Sequence, residues 1–351
     1  MDPVRVGVIG CGVIGPSHMR PAMESPLTDL VAVADLVPER AARAAEQFGA
    51  RKTYAQGSEL IADPEIEAVV LAFPAKRRAE LALQAFSLDK HVLTEKPVAC
   101  SAEEVHKMIA GQGDLVAACC SCRFRFTASA RAAADFIATG ALGKLRTVYC
   151  RELRPAGPQP EKIPPDWRLT KSLNGGGILM NWGCYDLDYL LGLCGWRLEP
   201  QTVLAQTWTC PPQFEAHIAP GSDAETYYTA LVRCADGVVL SVERGEYMPT
   251  QGEAAWQIIG TQGSLQLHMT AAKGKRIVFD AGTTEGGVES RVIWQDEEDS
   301  SVTGAEPILD LARAIRQGGS PSTPLTKALV IQQISDAIYE SAATAQAVVI
   351  R

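Results

Sequence analysis

The apolar positions of this chain fall into two regimes. Through roughly the first third they come as short unbroken runs separated by amphipathic stretches. Val4 to Ile9, Leu30 to Ala34, Ala68 to Phe73, His91 to Thr94 and Leu115 to Cys119 read as strands. His18 to Met23, Pro38 to Phe48 and Arg77 to Ala85 read as helices, and Ser101 with Glu104 supplies a capping box for a further one. Strands without polar alternation are buried on both faces, which predicts a parallel sheet covered by helices on both sides. This doubly wound α/β domain is expected over residues 1–122.

From residue 123 onward the pattern changes. A helix over Ser129 to Ala138 closes at Gly140 and Gly143, a strand runs from Leu145 to Arg151, and a proline-rich loop spans Pro155 to Pro165. The triple glycine at Gly175 opens a largely apolar helix reaching Leu193. Strands with polar breaks follow at Thr202–Thr209, Tyr227–Cys234, Val238–Glu243, Trp256–Ile259 and Ser264–His268, with Asp236-Gly237 as a hairpin turn. The expected second domain, 123–351, is α+β with an open, mostly antiparallel sheet covered on one face by helices. Pro307–Arg316 and Lys327–Ala343 read as closing helices, and the last of these, extended over 327–346, is a candidate to pack back on the first domain.

The first strand ends in a motif with a mechanism. VRVGVIGCGVIG places Gly10, Gly12 and Gly15 in the spacing G-x-G-x-x-G, between a strand and a helix. The first glycine permits the tight turn, the second lets backbone approach a pyrophosphate, and the third lets helix and strand pack closely. The second strand ends in Asp35, twenty residues after Gly15, where a carboxylate grips ribose hydroxyls. NAD is the expected cofactor, because the Asp35 charge repels a 2′-phosphate; Arg40 nearby leaves room for NADP. Val13 and Ile14 inside the turn, Phe73 and Pro74 after the Ala68 strand, and Glu95 and Lys96 after the His91 strand complete the expected cofactor contacts.

Composition narrows the field. The chain has 351 residues, a net charge of −8 and 46% hydrophobic residues, which fits a globular protein with a sizeable core. The acidic balance argues against binding nucleic acid or an anionic membrane, since both need a basic face. No apolar run approaches a membrane span. The N-terminus lacks a signal-peptide layout, and several of the ten cysteines lie in apolar runs, so a reducing cytoplasm is expected. Cys119, Cys120 and Cys122 read as small buried thiols rather than metal ligands. The five histidines show no metal spacing, and no metal is expected.

Two residues stand out as candidate catalysts. Lys96, in Glu95-Lys96-Pro97, follows a parallel strand's carboxyl end, the edge that faces the ligand crevice in open α/β sheets. It can hold a substrate oxygen. Tyr185, in NWGCYDLDYL, lies early in the helix after the triple glycine; a nearby ammonium would favour its phenolate, so the pair could exchange a proton with a substrate hydroxyl. Either residue taken alone also fits a plain structural role, Lys96 in an exposed turn and Tyr185 in a core. Arg125, Trp167, Arg168, Asn181 and Asp188 are candidate substrate contacts.

Taken together, VGVIGCGVIGPSH, the EKP motif at Glu95, RFTASARAAADFIATGALGKL from Arg125, GGGILMNWGCYDLD, and GTQGSLQL from Gly260 resemble the glucose–fructose oxidoreductase / inositol dehydrogenase / MocA family over nearly the whole chain. The resemblance implies an N-terminal Rossmann domain, a C-terminal α/β domain through whose sheet many members form dimers or tetramers, and a catalytic Lys96. Three departures are visible. Tyr185 occupies the family's histidine position, as in one branch of it; Asn181 replaces an aspartate; and Arg77-Arg78 stand near a position often held by histidine. The expected activity is NAD(H)-dependent oxidation or reduction of a sugar, cyclitol or related polyol. Redox-neutral elimination, glycoside cleavage or epimerisation with retained NAD is an alternative, and a non-catalytic nucleotide sensor is another.

Overall fold

A computed structural model describes residues 2–270 and 274–351. The chain forms two compact units: Met1–Arg123 with Ser301–Gln332, and Phe124–Ser300 with Gln333–Arg351.

The first unit is built on six parallel strands, β1 (Val4–Ile9), β2 (Thr28–Ala34), β3 (Lys52–Tyr54), β4 (Ala68–Leu71), β5 (His91–Thr94) and β6 (Ala117–Cys119). Their order is β3-β2-β1-β4-β5-β6, so the winding reverses between β1 and β4, where open α/β sheets form their ligand crevice. Helices α1 (Gly15–Glu24), α2 (Pro38–Phe48), α3 (Gly57–Ile61), α4 (Arg78–Ser87) and α5 (Ala102–Gln112) connect them. Pro38 opens α2 and Gly49, in the left-handed region at φ 71°, ends it. Ser101 caps α5 through the Glu104 amide, but the Glu104 carboxylate turns to the Cys100 amide instead of closing the box on Ser101.

The second unit carries α6 (Ala128–Ala138), the short α7 (Lys171–Asn174), α8 (Cys184–Leu193) and strands β7 (Leu145–Pro155), β8 (Pro200–Trp208), β9 (Tyr227–Cys234), β10 (Val239–Met248), β11 (Glu253–Gly260), β12 (Gly263–Leu267), β13 (Arg276–Thr283), β14 (Gly287–Gln295) and β15 (Val348–Val349). They form one sheet in the order β14-β13-β12-β11-β7-β10-β9-β8-β15, antiparallel except for the β7–β10 pair. Asp236 and Gly237 turn the β9–β10 hairpin with φ of 56° and 75°, the positive values such turns require. One face is core: Val148, Cys150, Val203, Val232, Leu240, Val242, Trp256 and Ile258 are buried. The other exposes Leu204, Trp208, Leu231 and Ile259.

Helices α9 (Val302–Gln317) and α10 (Leu325–Thr344) close the fold. The sequence division at 122/123 gives two continuous pieces, whereas the compact units are discontinuous. Ile308, Leu311 and Ala312 of α9 join the apolar cluster of β1, α1 and Phe48, while Leu325 and Ala328 of α10 join the cluster on the other sheet face with Leu60, Phe86 and Met108. Burial of these side chains returns Ser301–Gln332 to the first unit, and α10 starts in one unit and ends in the other.

Candidate active site

The first unit builds a nucleotide cradle from backbone. Gly10 has φ 101°, and a side chain there would put Cβ 2.3 Å from the Ala72 carbonyl oxygen. A Cβ at Gly15 would lie 2.2 Å from the Gly10 oxygen. Gly12 differs: nothing lies within 4 Å of where its Cβ would be, so the backbone faces open space at the position that meets a pyrophosphate. Helix α1 begins beside it with Ile14 at its N-cap, whose side chain offers no acceptor to the first-turn amides. Val13, 95% exposed, projects from the same turn. Asp35 braces the far side, accepting from the Cys11 amide (2.8 Å) and the Val37 amide (2.9 Å). Each of its oxygens has a second lone pair, so the carboxylate can still accept from ribose hydroxyls. The residues present therefore fit NAD. Arg40 is exposed in the first turn of α2, and the Cys11 thiol is pushed up to about 12, chiefly by burial and then by the Asp35 charge.

The turn after β5 presents Lys96, half-buried, on a loop whose Lys96–Pro97 peptide is cis. Behind it lies a cluster that joins residues from separate motifs, His18 of the glycine-rich opening and Glu95 of EKP, to Arg123. Glu95 is 2% exposed and accepts from Arg123 and from His18 Nε2 at 2.8 Å; its other oxygen takes the Lys96 amide at 3.1 Å. Burial would raise the Glu95 pKa, but Arg123, the His18 hydrogen bond and the Lys96 charge override it and hold the carboxyl well below its usual range. His18, Glu95 and Cys120 place potential ligand atoms within 4.8 Å, yet the Arg123 guanidinium already supplies the cation at this carboxylate. Arg78, buried as well, reaches the carbonyls of Phe73, Glu95 and Pro97. Arg77 and Arg78, near the position often held by histidine, differ in setting: Arg78 is buried on these carbonyls, and Arg77 is exposed and paired with Glu80.

In the second unit the triple glycine is explained by crowding. Gly175 ends α7 at φ 78°. A Cβ on Gly176 would fall 1.8 Å from the Tyr339 hydroxyl, and one on Gly177 1.8 Å from the Glu225 carbonyl oxygen. The buried Glu225 carboxylate accepts from the amides of Gly177 and Leu179 and from the Tyr339 hydroxyl at 2.9 Å. It thus caps the next helix from outside, as an acidic group at a helix start should. That helix opens with a π-turn, Leu179–Gly183, before α8. Such turns are rare and cluster at functional sites. The reading of one continuous helix missed it, because nothing in an apolar stretch distinguishes π from α.

The π-turn and α8 carry Asn181, Tyr185 and Asp188. Tyr185 is 5% exposed and lies edge-on to Phe124 (5.1 Å between centroids) and Trp182 (5.6 Å). Trp182 is half-buried, with the Arg154 and Arg244 guanidiniums 5.0 and 5.1 Å from its ring centre. Arg244 forks onto the buried Asp186 at 2.5 and 2.6 Å. Burial opposes the Arg244 charge, but the Asp186 carboxylate more than offsets it and holds the guanidinium protonated. Asp188, fully buried, is bonded by Arg125 at 2.6 Å, so these two expected substrate contacts are joined to each other. Arg168, in a short 3-10 turn after Trp167, pairs with Glu246 at 2.5 Å. Trp182, Arg154, Arg244 and Glu246 were not read as site residues; only Trp182 lay inside a recognised motif.

Comparisons with known proteins agree with this architecture. The family model described as "Oxidoreductase family, NAD-binding Rossmann fold" matches residues 4–112, and the "GFO/IDH/MocA C-terminal domain" matches residues 130–266. Levoglucosan dehydrogenase of Pseudarthrobacter phenanthrenivorans is 27% identical, covering 98% of this chain and 97% of that protein. An inositol 2-dehydrogenase of Rubrobacter xylanophilus is 36% identical, over 40% of this chain and 42% of its own. Among solved structures, levoglucosan dehydrogenase in complex with NADH and levoglucosan superposes with a TM-score of 0.85 at 26% identity, covering 99% of both chains. Among the described residues no helix is long and apolar enough to cross a membrane. A glycine cradle fitted to NAD, an EKP turn and two matched domain models lead to one conclusion: the chain belongs to the Gfo/Idh/MocA family of NAD-dependent oxidoreductases acting on CH–OH groups.

Proposed function

We propose that this enzyme is an NAD-dependent dehydrogenase or reductase of a sugar, cyclitol or related polyol, with Lys96 and Tyr185 handling the proton and charge of the reacting hydroxyl. The observation that carries the reading is the setting of Lys96, at the carboxyl end of β5 on a turn anchored by the buried Glu95. The near full-length likeness to levoglucosan dehydrogenase supports the substrate class. Gly10, Gly12, Gly15 and the α1 terminus would hold the pyrophosphate and Asp35 the ribose, with Val13, Ile14, Arg40, Phe73, Pro74 and Glu95 around them. NAD, when bound, supplies the hydride acceptor. In the oxidative direction Tyr185 Oη takes the hydroxyl proton while Lys96 Nζ stabilises the charge developing on that oxygen. Tyr185 stands in for the family's histidine in this role. Asn181, Trp167 and Arg168 offer hydrogen bonds and a stacking face to the remaining hydroxyls, and Arg125 with Asp188 fixes the helix carrying Tyr185.

The test is NADH absorbance on a panel of aldoses, inositols and anhydrosugars, with NAD and NADP side by side. Tyr185→Phe removes only the hydroxyl and is expected to lower kcat by about 10²- to 10⁴-fold. Full turnover in that variant would remove the role assigned to Tyr185.

The homo-oligomer belongs to the same reading. Leu204 and Leu231 pair across β8 and β9 and are 54% and 50% exposed, with Trp208 on the same face at 44%. A second copy of the chain covering this face would remove that apolar surface from water. Sedimentation velocity is expected to show a dimer or tetramer, and Leu231→Glu with Trp208→Glu a smaller species; a monomeric wild type would end the proposal.

A further inference from the structure

Arg78 is a buried guanidinium whose hydrogen bonds go to main-chain carbonyls. Its Nε donates to the Phe73 oxygen at 2.7 Å and its Nη1 to the Glu95 oxygen at 2.7 Å, with Nη1 also reaching the Pro97 oxygen. It is 3% exposed. Burying a cation is costly, and burial pushes its pKa down against the partial support of the Glu95 charge. The charge is kept there because its N–H groups serve several carbonyls at once, which no apolar side chain of the same size could do.

The carbonyls it joins belong to two turns. Phe73 ends the turn after β4, and Glu95 and Pro97 flank Lys96 in the turn after β5. Strands β4 and β5 are parallel neighbours, so both turns lie at the same carboxyl edge of the sheet. Turns at strand ends have no ladder to hold them, and their carbonyls need donors from elsewhere. A planar fork with several N–H groups can reach two turns at once; a lysine has its donors on one point at the end of a flexible stem. A second set of bonds holds the same loop from the side-chain direction, since Glu95 is anchored by Arg123 and His18. The loop is therefore gripped through its main chain by Arg78 and through Glu95 by Arg123 and His18, with Lys96 between the bonded residues.

We infer that Arg78 is a positioning residue: by stapling the turn after β4 to the turn after β5 through their carbonyls, it fixes where the Lys96 ammonium and the Phe73–Pro74 turn meet their ligands. The inference rests on the role proposed above for Lys96, and its test includes a readout that does not. The full-length variants Arg78→Lys and Arg78→Gln are compared with wild type. Lys96 acetylation by acetic anhydride is measured by peptide mass spectrometry against the exposed Lys76 as internal reference. Alongside it run NAD affinity by titration calorimetry, the unfolding midpoint, and kcat and KM on the polyol that wild type oxidises.

The expected result for Arg78→Lys is a folded protein whose Lys96-to-Lys76 labelling ratio shifts threefold or more, with NAD affinity weakened about tenfold. Its kcat should fall more than tenfold while KM for the polyol changes less than threefold. A labelling ratio, NAD affinity and kcat unchanged in a folded variant would overturn the inference. So would loss of folding in both variants without recovery on adding NAD, since Arg78 would then serve the fold alone. A shifted ratio in a chain that oxidises no polyol would stand with the staple and count against the reaction proposed for Lys96.

Discussion

Replacing Lys96 with methionine is expected to lower kcat for polyol oxidation by about 10³-fold while leaving the fold intact. The magnitude follows from what the ammonium is asked to supply. Loss of one preorganised donor at a developing oxyanion costs about 10²- to 10³-fold. Methionine keeps the length of the side chain and removes the cation. The half-buried Lys96 side chain does not belong to either apolar cluster of its unit, so its replacement opens no core cavity. The backbone of its turn is held by Glu95, Arg78 and Arg123, none of which is touched. The measurement is initial rate by NADH absorbance together with NAD affinity by calorimetry. A Lys96→Met enzyme within tenfold of wild type would show that the turn carries the lysine for another purpose.

The second large effect concerns stability. Asp186→Ala removes the carboxylate onto which Arg244 forks, in a pair whose side chains are 0% and 2% exposed. The guanidinium left behind is buried against Trp182 without the carboxylate that bonds it. Breaking one side of a buried pair typically costs about 3–5 kcal/mol, which for a unit of this size lowers the unfolding midpoint by on the order of 10 °C. Replacing both members, Asp186→Ala with Arg244→Met, should recover much of that loss, because no uncompensated charge then remains. Calorimetric unfolding of the single and double variants decides between these cases. Equal midpoints for wild type and Asp186→Ala would show that the pair is worth no more than a surface contact. Activity is expected to follow, since Asp186 adjoins Tyr185 on α8 and its partner underlies the Trp182 face.

Much of this protein is legible without coordinates, and the reason differs between its halves. In the first unit every strand but β3 is largely buried on both faces and writes a mostly apolar run into the sequence, and β5 is found at the residues expected, His91–Thr94. The glycine fingerprint is legible because each glycine answers a local demand: the Ala72 carbonyl against Gly10, the Gly10 carbonyl against Gly15, open space at Gly12. Strand β3 and helix α3 went unread, being three and five residues long. In the second unit β9, with one face on the core, alternates clearly over Tyr227–Cys234, whereas β14 is exposed over most of its length and shows no pattern to read.

What the sequence by itself determined is therefore what short-range physics writes down: the α/β first unit, the antiparallel second, the NAD cradle, and the EKP and GGG segments with Lys96 and Tyr185. What only the tertiary structure decided depends on residues far apart in the chain. The return of Ser301–Gln332 to the first unit follows from apolar surface on α9 meeting β1 and α1. Glu225 caps a helix start nearly fifty residues before it, and Tyr339 shares the load from α10. Arg125 and Asp188 are joined across 63 residues, and Arg78 reaches carbonyls on two turns that only strand pairing brings together. A buried polar group must find its partner wherever the fold supplies one, and that partner leaves no periodic trace in the sequence.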